Sequence, residues 1–170
     1  MKKVVQELGF IQPISKDDDA TLIQKVCSQT LEPAVCIDCI NSDTSRVTDD
    51  IPELTHSIVF CAWSEAVFAQ EDAEQLAQNT TEPKLKEALQ ACDALLFSVQ
   101  NDLGDALMQL EARDYDNVMI SLTDARIDVF DSVNQFGYGI DILIPPKLLD
   151  GMVRVKHLND VAAVLLNLLL

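Results

Sequence analysis

The chain has 170 residues, a formal net charge of −16 and an isoelectric point near 4.2. Apolar residues make up 48% and aromatics 5%, and five Gly and six Pro are too few for a fold of many tight turns. This composition favours one helical domain large enough to bury a core without a metal or cofactor. The charge excludes nucleic acid and anionic membrane as partners, since both are held through cationic contacts, although it serves solubility equally well.

Residues 1–17 stand apart as an N-terminal extension of unclear role, ahead of a domain over 18–170. Lys2 and Lys3 imitate the basic start of a secretion signal, but Glu7, Gln12 and Pro13 interrupt any apolar run. Either a signal has been removed already or the chain is intracellular. The region 18–45 reads as a helical hairpin, with short helices over Thr21–Val26 and Ala34–Ile40 around Pro33. Cys27 and Cys36 are close enough in sequence to close a small loop by a disulfide. Five cysteines leave at least one unpaired within the chain.

Residues 51–170 carry four apolar stripes at helical spacing. The first is Ile51, Leu54, Ile58, Ala62, Ala66, Ala69, Ala73 and Leu76. Pro52 suits its first turn, and Asp49 and Asp50 precede it, where carboxylates favour a helix N-terminus. It stops at Asn79-Thr80-Thr81, an N-glycosylation acceptor pattern on Asn79. Together with the cysteines, that pattern tilts the chain towards a secretory origin.

Thr81 reads as the N-cap of a second helix, with Glu82 and Pro83 in its first turn. Its stripe runs from Leu85 through Leu89, Cys92, Leu96, Val99, Leu103 and Ala106 to Leu110. A third stripe follows at once, from Tyr115 through Val118, Leu122, Ala125, Val129 and Val133 to Phe136. So short a link makes these two helices antiparallel neighbours. Gly137, Gly139, Pro145 and Pro146 mark a longer loop. Leu149, Met152, Val155, Leu158, Ala162, Leu165 and Leu169 form the fourth stripe. Its apolar end, Val161–Leu170, has about half the length that a bilayer requires. The expected fold is all-α: an up-and-down four-helix bundle preceded by a helical hairpin.

The chain is poor in catalytic groups. His56 and His157 are its two histidines. Glu53-Leu54-Thr55-His56 is one half of a di-iron bundle signature, but Arg154 stands three before His157, so the second half is missing. Cys36-Ile37-Asp38-Cys39 lacks the βαβ setting of a redox motif. There is no phosphate-cradling Gly loop and no nucleophile elbow. The expectation is no catalytic residue, no metal and no cofactor.

Several segments carry a resemblance. They are the Cys27…Cys36 hairpin, Glu82-Pro83-Lys84-Leu85-Lys86, Ala91-Cys92, Arg113-Asp114-Tyr115-Asp116 and Leu158-Asn159-Asp160-Val161. In order and spacing they resemble the plant invertase and pectin methylesterase inhibitor family over about residues 20–170. The resemblance implies a stoichiometric protein inhibitor of the cell wall or vacuole, working as a monomer or weak dimer. Its partner is a pectin methylesterase or an acid invertase.

The invertase branch inserts a Pro-Lys-Phe tripeptide just after the turn between the second and third bundle helices. Here that turn reads Asp114-Tyr115-Asp116-Asn117, closer to the pectin methylesterase branch. Pro83-Lys84-Leu85 lies one helix too early. The implied partner-binding residues are Asp102, Asp105, Asp114, Tyr115 and Asp116.

Two departures stand out. Where the family joins Cys92 to a second cysteine, this chain has Ser132, so Cys39, Cys61 and Cys92 are expected as buried thiols, with a Cys61–Cys92 bridge as the alternative. On the exposed face of the second bundle helix, Ala94, Ser98 and Asn101 stand where acids are usual. That leaves a third reading, a structural or interaction module that has lost inhibition.

Overall fold

The computed structural model describes residues 19–30, 32–137 and 142–170. The extension 1–17 and the loop centre at Gly139 lie outside them. The described residues form six helices: α1 (Asp19–Cys27), α2 (Pro33–Ser42), α3 (Ile51–Asn79), α4 (Pro83–Glu111), α5 (Tyr115–Asn134) and α6 (Pro146–Leu166). No strand occurs among these residues. The fold is an all-α, up-and-down four-helix bundle, α3 to α6, with the α1–α2 hairpin packed on α3.

The apolar stripes drive this assembly. Leu54, Ile58, Leu89, Leu96, Leu103, Leu122, Met152 and Leu165 are fully buried. The buried face of α3 is largely alanine, at Ala62, Ala66, Ala69, Ala73 and Ala77. That of α4 is rich in leucine. Small side chains on one helix let large ones on its neighbours interdigitate at native density. Gly151 of α6 sits directly on Ala69, where an added Cβ would lie 3.3 Å from the alanine methyl. The α3–α6 seam therefore closes on a glycine–alanine contact.

Local chemistry sets the helix ends. The Glu53 amide donates to Asp50 Oδ1 at 3.0 Å, which starts α3. At α4 the cap is Glu82, not the expected Thr81: the Leu85 amide donates to Glu82 Oε2 at 2.6 Å. With its longer side chain, Glu82 reaches the first turn from one residue closer to Pro83. The fourth stripe also shifts at its start, where Leu148 is buried and Leu149 only half-buried. α6 already begins at Pro146, and Leu148, four before Met152 and seven before Val155, falls on the same buried face.

Cys27 and Cys36 form a disulfide with their Cα atoms 5.4 Å apart, closing the α1–α2 hairpin. The remaining cysteines correct the sequence reading. Cys39 and Cys61 are also bridged, with Cα atoms 6.1 Å apart, so neither is a buried thiol and Cys61 does not pair with Cys92. The reason is tertiary: α2 packs against the first half of α3, and both cysteines face that contact. Cys92 alone is free, buried beside the Met152 sulfur at 3.8 Å.

The segment after α2 is fastened as well. Ser57 Oγ donates to Asp43 Oδ2 at 2.6 Å, and the Ser45 amide and hydroxyl both donate to Asp43 Oδ1. Burial raises the Asp43 carboxyl, but these donors outweigh it and hold the group below its ordinary value. Arg46 bonds the Ile40 carbonyl at the end of α2 and pairs with Asp49 at 2.7 Å.

Candidate protein-binding face

Asp102 and Asp105 lie three apart on α4, on the side that turns towards α5. On α5, Asp124 and Asp128 answer them across the seam. Burial is the main influence raising the Asp102 carboxyl, and Asp128, Asp124 and Asp105 add repulsion, so the group is pushed up to about 6. Its Oδ2 is buried with no hydrogen-bond partner among the described residues. None of these four carboxylates is ion-paired among those residues. The result is a concentrated negative seam with one member close to accepting a proton.

The turn at the end of this seam is built differently. Arg113 takes the left-handed conformation, φ 57°, usually left to glycine at a helix C-terminus. The Asp114 amide donates to the Gln109 carbonyl at 2.9 Å and the Arg113 amide to that of Leu110 at 3.0 Å, the paired bonds of a Schellman ending. The chain can then enter α5 at Tyr115 with no intervening loop. Asp114 accepts a bond from Asn117 Nδ2 at 2.6 Å, and Asp116 occupies the first turn of α5, where the helix dipole favours a carboxylate. Tyr115 is half-buried against the core. Gln109 and Ser121, 2.9 Å apart, tie the two helices together just inside the turn.

The five residues singled out from the sequence therefore fall into two groups. Asp102 and Asp105 sit mid-helix with Asp124 and Asp128. Asp114, Tyr115 and Asp116 sit at the turn, beyond the end of α4 at Glu111, which lies about 9–14 Å further along the helix axis at 1.5 Å per residue. Asp124 and Asp128 are additional to the five residues expected from the sequence. Their signal was available as a pair of acids four apart on the polar side of the third stripe. It gained meaning once the antiparallel packing set them opposite Asp102.

The other predicted positions are also located. Ala94 and Asn101 are exposed and Ser98 half-buried on α4. Asn79 is the exposed last residue of α3. Ser132 is buried on α5, its hydroxyl facing the Cys92 thiol and donating to the Asp128 carbonyl at 2.7 Å. His56 Nε2 lies 3.7 Å from Glu111 Oε1. Among the described residues, no three His, Cys, Asp or Glu side chains gather as metal ligands would. No helix among these residues is long and apolar enough to cross a membrane.

Fold and site together define the class: an all-α bundle with a disulfide-closed helical hairpin and an unpaired acidic seam. The model of the plant invertase/pectin methylesterase inhibitor family matches residues 21–165, and the chain belongs to that family. It is 25% identical over 166 residues to a pectinesterase inhibitor of Actinidia deliciosa, covering 94% of this chain and 88% of that protein.

Two crystal structures share its fold. A mutant form A of a pectin methylesterase inhibitor from Arabidopsis superimposes with a TM-score of 0.70 at 17% identity, over 88% of this chain and 95% of that one. A pectin methylesterase inhibitor from Arabidopsis thaliana gives 0.68 at 17% identity, over 89% and 98%.

Proposed function

We propose that this chain is a secreted, non-catalytic inhibitor of a plant cell-wall pectin methylesterase, acting through a one-to-one protein complex. The observation that carries the reading is the α4–α5 unit: four converging, unpaired aspartates on one seam, ending in a turn that lacks the Pro-Lys-Phe insert. Carboxylates that already lack partners in the free protein are available to cations on a target surface. Docking two helices suits an interface of standard size, about 800 Å² per partner, with a polar rim. Asp102, Asp105, Asp124 and Asp128 would meet the target along the helices. Asp114, Tyr115 and Asp116 would meet it at the tip.

The test is titration of the chain into parallel pectin methylesterase and acid invertase assays. Loss of pectin methylesterase activity that saturates at an equimolar ratio supports the proposal. Loss of sucrose hydrolysis alone transfers the reading to invertase. Inhibition of neither favours a bundle kept for a structural or interaction role. Replacing Asp105, which is exposed, with Lys should weaken inhibition about tenfold or more through charge reversal at the contact. Undiminished inhibition by Asp105→Lys would remove the seam from the interface.

A further inference from the structure

The α5–α6 seam is the loosest of the four in the bundle. It opens into a groove of about 660 Å³ on the flank of α5 away from the acidic seam. Ile127, Phe130, Val133, Met152 and Val153 supply its apolar lining. Two of these are conspicuously open, Ile127 at 52% and Phe130 at 64% exposure.

Arg126 and Lys156 stand at the rim. Both turn to Asp160, Lys156 Nζ at 2.7 Å and Arg126 Nε at 3.6 Å. Two cations share one carboxylate, which leaves one positive charge over the groove. That is an exception in a chain with 12 basic and 28 acidic residues. The polarity runs lengthwise. Asn159 Nδ2 donates to the Leu122 carbonyl at 2.8 Å and fixes the antiparallel register. The cations thus lie towards the Asn159 end, while Phe130, Val133 and Met152 lie towards the other.

We propose that this groove binds a single-chain anionic amphiphile of the fatty-acid type, its carboxylate at Arg126 and Lys156 and its aliphatic chain along Ile127, Phe130, Val133 and Met152. Two observations select this occupant. The volume lies in the range of small-molecule sites. The separation of charge at one end from apolar lining at the other matches a head and a tail. The carboxylate gains charge-assisted bonds there that a cationic head of equal chain length cannot make.

The test uses the full chain and a fluorescent fatty-acid probe, dansylaminoundecanoate, at neutral pH below its micellar concentration. Probe emission should rise and saturate. Dodecanoate should displace it about tenfold more effectively than dodecyltrimethylammonium, which has the same tail and the opposite charge. Ile127→Glu places a carboxylate in the lining at a half-exposed position. It should abolish binding while leaving far-ultraviolet circular dichroism and the thermal midpoint unchanged. Arg126→Gln combined with Lys156→Gln should remove the preference for dodecanoate. No probe signal, equal displacement by the two amphiphiles, or undiminished binding by Ile127→Glu would each overturn the proposal. So would a dimer in sedimentation that Ile127→Glu dissolves, since the groove would then belong to a second copy of the chain.

Discussion

Cys39 of α2 and Cys61 of α3 are joined across 22 residues of sequence, and this bridge ties the hairpin to the bundle. The Cys27–Cys36 bridge closes the hairpin upon itself but does not hold it down. Nearby, Ser57 donates to Asp43 at 2.6 Å, and Arg46 links the Ile40 carbonyl to Asp49. Replacing Cys39 and Cys61 together by Ser should cost about 3 kcal/mol of stability for a loop of that length. Chemical denaturation measures the loss. Hydrogen exchange should localise it, with amides of α1 and α2 losing protection well before those of α4.

Ser132 faces Cys92 in the core, so Ser132→Cys should restore a bridge between α4 and α5. Oxidation of the variant should remove its free thiol. By loop length it should gain about 4 kcal/mol, less any strain of closure. In the parent chain the Cys92 thiol is pushed up to about 12, by burial first and by Asp93 in addition, with the Ser132 hydroxyl opposing. A thiol so raised is protonated and shielded at neutral pH. Ellman's reagent should therefore report no reactive thiol in the folded parent and one after denaturation. A fast-reacting thiol in the folded parent would contradict the buried placement of Cys92.

Asp102 sets a pH dependence of known sign. Its carboxyl titrates at about 6 in the fold, raised from an ordinary 3.8. A carboxyl raised on folding contributes stability below its unfolded value, and that contribution is lost as pH rises through the folded value. Asp102→Asn removes this term. The variant should match the parent below about pH 4 and exceed it at neutral pH by about 1 kcal/mol, because solvent partly screens the carboxyl. Thermal unfolding across that range tests it. If Asp102 also meets a cation on a target enzyme, the same variant should inhibit less well while being more stable, the usual trade at a binding site.

Gly151 is fixed by its neighbour Ala69, not by backbone conformation. A helical glycine is ordinarily improved by substitution, gaining up to about 1 kcal/mol for Ala. Here an added Cβ would meet the Ala69 methyl at 3.3 Å. Gly151→Val should therefore lower stability by about 1–3 kcal/mol through overpacking of the α3–α6 seam. Unchanged denaturation would show that the seam yields freely.

Much of the fold was legible in the chain. The spacing of Leu54, Ile58, Ala62 and Ala66, and of Leu89, Leu96 and Leu103, requires helices with one buried face, and burying four such faces requires a bundle. The direct run from Arg113 to Tyr115 forced α4 and α5 to be antiparallel neighbours. The candidate site was legible only in part. Asp102 and Asp105 were visible as acids on one helix, but Asp124 and Asp128 are remote in sequence, and helical periodicity says nothing about which flank of α5 meets which flank of α4.

The division follows from the range of the forces. Local sequence determined what is local: helix type, approximate ends, the buried stripe, and an acidic surface. Cross-helix register fixed the rest, because it depends on how side chains from distant segments fit together. That fit paired Cys39 with Cys61 and left Cys92 beside Met152. It gathered four carboxylates on the α4–α5 seam and left the opposite flank of α5 open as a cationic-rimmed apolar groove.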